Sequence, residues 1–104
     1  MNQKVKNHLT SYCKSNDLQP SDAALELLLI SHKPIQETKI SNDWGIETIF
    51  TVVEIEGLLI GFNAKYNRIA GTITVDLDSV YECEAVEIKT IIYKAKQQQQ
   101  LFKP

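Results

Sequence analysis

The residues in this sequence best suited to chemistry are carboxylates, and five of them fall close together: Asp76, Asp78, Glu82, Glu84 and Glu87. The stretch Asp76-Leu77-Asp78-Ser79-Val80-Tyr81-Glu82 lacks the third short-spaced oxygen ligand and the turn glycine that a calcium loop of the EF-hand type requires. It reads instead as the acid-rich start of a helix. His8 and His32 are the only histidines, and neither has a Cys, His or carboxylate at the i+3 or i+4 spacing that brings two metal ligands onto one helical face. Cys13 and Cys83 are far apart and are expected as reduced thiols packed like small hydrophobes. The four glycines, Gly45, Gly57, Gly61 and Gly71, are scattered, so neither a phosphate-cradling loop nor a nucleophile elbow is present.

Two short stretches carry resemblances. Glu87-Ile88-Lys89, with Asp76 or Asp78 upstream and Glu26 earlier still, resembles the (D/E)-x-K signature of the PD-(D/E)xK nuclease superfamily. The resemblance implies that the carboxylates hold a divalent metal while Lys89 orients and activates the attacking water. That superfamily sets the triplet on a strand followed by a helix and another strand, whereas only 15 residues follow Lys89. Near the end of the chain, Gln98-Gln99-Gln100-Leu101-Phe102 resembles the Q-x-x-L-F type of peptide by which bacterial replication and repair proteins dock on the DNA sliding clamp. It implies polar contacts from Gln98 and insertion of Leu101 and Phe102 into an apolar cleft. The competing expectation is that the Leu-Phe pair packs back on its own domain.

Composition bounds both ideas. A chain of 104 residues, 43% apolar and 23% charged, suits one globular domain over residues 1–96, with residues 97–104 as a Gln-rich tail. The net charge of −2 and pI near 5.6 lack the basic excess with which a phosphate-gripping surface displaces counterions, so nucleic acid is disfavoured as a direct ligand. No run of 18 apolar residues occurs and the first twenty residues contain no apolar signal core, so a cytoplasmic protein without a membrane span is expected.

These residues need elements to position them. Val5, Leu9, Tyr12 and Cys13 share one face of a helix over residues 2–14. Ser21 and Asp22 open a second helix that ends near His32, before Pro34. Its Ala24, Leu25, Leu27, Leu28, Leu29 and Ile30 make it apolar nearly all round, which predicts cover on two sides. Alternating β-branched residues predict strands over residues 46–55, 58–64 and 69–77, with turns at Glu56-Gly57 and at residues 65–68. A shorter strand over residues 35–40 precedes a turn at Ser41-Asn42-Asp43. Residues 79–100 are divided between strand, from the β propensity of Val86 to Tyr93, and helix. The capping-box spacing at Ser79, the heptad spacing of Tyr81, Ala85, Ile88, Ile92, Ala95 and Phe102, and the order of acids before lysines favour helix.

The expected architecture is α+β: an N-terminal helical pair, a three- to four-stranded antiparallel meander and a C-terminal helix. No activated nucleophile, acid–base pair or cofactor loop can be assembled, and no cofactor is implied. The leading expectation is a non-enzymatic binding or regulatory domain whose partner is another protein or a second copy, acting through a sheet edge or the apolar second helix. The clamp-docking tail (Gln98, Leu101, Phe102) and the metal-dependent nuclease (Glu26, Asp76, Asp78, Glu87, Lys89) are the alternatives.

Overall fold

Two helices, α1 (Gln3–Ser15) and α2 (Asp22–Ser31), precede four strands in a computed structural model that describes residues 1–96. The strands β1 (Gln36–Asp43), β2 (Ile46–Ile55), β3 (Leu58–Asn67) and β4 (Thr72–Glu82) form one antiparallel sheet in sequence order, so the fold is α+β. No helix among the described residues is long and apolar enough to cross a membrane.

Each helix begins on a side-chain cap. Asn2 Oδ1 accepts the Lys4 N–H at 2.8 Å and Ser21 Oγ accepts the Ala24 N–H at 3.2 Å, each satisfying a donor that the first turn leaves free. The Nδ1 of His32, the C-cap of α2, donates to the Leu28 carbonyl at 2.8 Å, closing the other end. Helix α1 buries Val5, Leu9 and Cys13, the face expected from their spacing. The sheet and α1 do not enclose helix α2, which the chain itself covers on one side only. It buries Leu25, Leu28 and Leu29, but Leu27 is 64% exposed, because it lies about 200° round the helix from Leu25.

The first two hairpins turn on two residues each, Trp44-Gly45 (φ 53° and 78°) and Glu56-Gly57 (φ 49° and 80°). Two successive positive φ values match the twist of the flanking strands, which is why glycine stands second in both. Strand β1 therefore continues through Ser41-Asn42-Asp43, where a turn was expected, and reverses at Trp44-Gly45. Strand β3 likewise runs past the turn expected at residues 65–68: Lys65 and Tyr66 pair with Thr48 and Glu47. The chain reverses after Asn67, whose Oδ1 accepts the N–H groups of Ile69 and Ala70 at 3.1 and 3.0 Å.

One face of the sheet supplies Val53 and Ile55, then Ile60, Phe62 and Ala64, then Val75 and Val80, to a core completed by the two helices. Val75 and Val80 share that face despite opposite parity because β4 bulges between them. Asn63 pairs with Asp76 and Gly61 with Tyr81, so Phe62 alone faces residues 77–80. Ser79 holds the detour: its Oγ accepts the Asn63 N–H at 2.8 Å and donates to the Asp76 carbonyl at 2.6 Å.

That pairing overturns the expected C-terminal helix within the described residues. Ser79, read as a helix cap, pins the bulge instead, and Val80 behind it is buried. Residues 79–82 belong to β4; Cys83 N–H still donates to the Leu59 carbonyl at 2.9 Å, and residues 84–96 form neither helix nor strand. Over Val86 to Tyr93 neither the strand nor the helix expected there forms. The tail expected at residues 97–104 lies outside the described residues.

One-sided burial of α2 makes a sharp contrast. Leu29→Ala should cost about 2–5 kcal/mol in urea unfolding, whereas Leu27→Ala should stay within about 0.5 kcal/mol. Equal costs would mean that Leu27 is covered.

Candidate functional site

The residues singled out for metal chemistry are tied into the scaffold. Glu26 Oε1 on α2 accepts the Val75 N–H at 3.1 Å, occupying a backbone donor on the outer edge of β4. Asp76 Oδ1 accepts the Asp78 N–H at 3.1 Å inside the bulge. Glu87 and Lys89 lie beyond the sheet on exposed backbone. Among the described residues, no three His, Cys, Asp or Glu side chains come together as metal ligands. Gln98, Leu101 and Phe102, the candidate clamp-docking residues, lie outside the described residues. A shallow hollow is bordered by His8, Ser11, Tyr12, Ser15 and Glu56, and the Nε2 of His8 donates to the Ile55 carbonyl at 2.7 Å. That imidazole ties α1 to the end of β2.

The strongest electrostatic arrangement was not anticipated from the sequence. Glu47 on β2 sits between Lys39 of β1, at 2.7 Å, and Arg68 of the β3–β4 turn, at 2.9 Å. Its side chain is 6% exposed while those of Lys39 and Arg68 are 57% and 70% exposed, so two solvated cations close over one shielded carboxylate. The hydrogen bonds from Lys39 and then Arg68 lower its pKa against the opposing effect of desolvation. Tyr66, its cross-strand neighbour, is pushed upward by burial and then by the negative charges of Glu37 and Glu47. Register alone brings these groups together, and a sequence without strand pairing carries no sign of it.

Opposite the helices, the sheet carries a small aromatic cluster. Phe50 of β2 stacks on Tyr81 of β4 with centroids 6.1 Å apart and planes 18° apart. Gly61, between them on β3, makes the approach possible, since a Cβ there would lie 2.5 Å from Cys83 Sγ and 2.9 Å from Phe50 Cε1. Burial raises the pKa of the half-buried Cys83 thiol, which disfavours the thiolate needed for nucleophilic or metal chemistry. Cys13 lies fully within the core, and both thiols are free.

What the molecule does expose is apolar. Beyond Cys83, Val86, Ile88, Ile91, Ile92 and Tyr93 are 69–89% exposed. All eight residues of β1 are exposed, leaving that edge of the sheet bare. At the turn end, Trp44 and Ile69 project into solvent, with Ile69 packed near Gly45. Compared with family models, with curated proteins and with solved structures, the chain matches none of them.

The Glu47 cluster sets an acid limit on stability. Its carboxyl titrates below its ordinary 4.5 in the fold, so the unfolded chain takes up that proton first as pH falls. Its contribution is complete above the ordinary value and is lost as pH drops through the lowered one. Glu47→Gln should therefore flatten the loss of stability in urea titrations as pH falls below about 4.5. An unchanged acid slope would contradict this.

Proposed function

We propose that this chain is a non-enzymatic protein-binding domain that self-associates. The observation that carries the proposal is the run of exposed Val86, Ile88, Ile91, Ile92 and Tyr93 on backbone that leaves the sheet without a strand partner. A contiguous stretch of large apolar side chains held in water is costly unless another surface covers it, and extended backbone with open N–H and C=O groups is suited to strand addition. The bare edge at β1 adds a second surface of the same kind. The chemistry points the same way: Glu26, Asp76 and His8 are engaged in backbone hydrogen bonds, and Glu47 is held by two cations.

Sedimentation velocity across a dilution series tests the proposal. The expected result is a mass that rises from that of one chain toward that of two over the micromolar range. A single-chain mass across the whole series would overturn it.

A further inference from the structure

We infer that residues 84–96 are completed by the same segment of a second copy, the two running antiparallel as a ribbon that prolongs β4 of each chain. This rests on the self-association proposed above and names the segment and orientation responsible.

The segment is built for extended structure. Val86, Ile88, Thr90, Ile91 and Ile92 are β-branched and Tyr93 is aromatic, residue types that fit a pleated, half-buried surface. Val86, Ile88, Thr90 and Ile92 point to one side of such a strand, between Glu84 and Lys94, and Glu87, Lys89, Ile91 and Tyr93 point to the other. Large apolar side chains therefore stand on both sides of the segment, all of them exposed, with the charges distributed along its length.

The β4 edge from which the segment departs is already engaged at two points. Along the outer edge of β4, Val75 N–H is held by Glu26 and the Val80 carbonyl accepts the Asn2 N–H at 3.4 Å. Residues 83–96 contain no Gly, Pro, Asn or Asp, the residues that reverse a chain tightly, so the segment runs on from β4 and does not fold back against it. Glu82, at the point of departure, is anchored to Lys4 at 2.9 Å.

Charge selects the partner and its direction. Glu84 and Glu87 lie in the first half of the segment and Lys89, Lys94 and Lys96 in the second. Two copies running antiparallel place the acidic half of each beside the basic half of the other. A parallel pair would set acid on acid and lysine on lysine, which is unfavourable across neighbouring strands. The lysines on the outer edges of the ribbon also oppose addition of further strands.

The test uses full-length chains that differ only at these exposed charges, with circular dichroism confirming an unchanged fold. Glu84→Lys with Glu87→Lys leaves a segment positive along its length and should weaken the dimer at least about tenfold, the effect of several like-charge strand contacts. Adding Lys89→Glu, Lys94→Glu and Lys96→Glu inverts both halves and should restore self-association. The inverted chain should not mix with the unaltered one, because their antiparallel pairing sets like charges together. A dimer whose affinity is the same with Glu84→Lys and Glu87→Lys would overturn this pairing while leaving self-association standing, as would free mixing of the inverted and unaltered chains. A unaltered chain that never dimerises would remove both.

Discussion

Ser79 makes the two hydrogen bonds on which the arrangement of the sheet depends. With Phe62 filling the core from β3, the chain of β4 detours around it, and a detour of that length would strand backbone groups without the Ser79 hydroxyl linking Asn63 and Asp76. The detour resets the phase of the strand. Val75 before it and Val80 after it both face the helices, and Tyr81 turns to the opposite face to stack on Phe50. Cys83 follows on that second face, over Gly61, and the chain then departs from the sheet.

From that point the helices have nothing left to cover. Their apolar stripes are matched to the core residues of β2, β3 and β4, and α2 turns Leu27 outward even here. Strand β1 receives no helical cover and keeps its register through pairing with β2 and through the Lys39–Glu47 ion pair. The surplus of apolar character in the sequence therefore appears in residues 84–96. That surplus is polarised in charge, acidic then basic, and this is the feature on which the proposed antiparallel pairing with a second copy rests.

Local signals were legible where the physics is local. The cap at Ser21, the buried face of α1 and the Glu56-Gly57 turn all follow from neighbours within a few residues. The strands were legible as strands, but their ends were not, because Lys65, Tyr66 and Ser41 owe their extended backbone to partners on β2. Ser79 shows the limit most clearly. The hydroxyl that can cap a helix can equally close a bulge, and the choice is made by Phe62 and Asn63, sixteen or so residues away. Glu26, a metal ligand only under the nuclease resemblance, serves as a backbone acceptor for β4. The Glu47 cluster was invisible for the same reason, since its cations come from β1 and from a distant turn.

Amide hydrogen exchange at two protein concentrations tests the central claim most directly, because it reads the backbone of residues 84–96 against that of the core in one experiment. In dilute protein these amides should exchange at the rate of unstructured chain while those of β2 and β3 stay protected. At concentrations where the protein is associated, residues 84–96 should gain protection and the core should be unchanged. Association with residues 84–96 still exchanging freely would contradict the account.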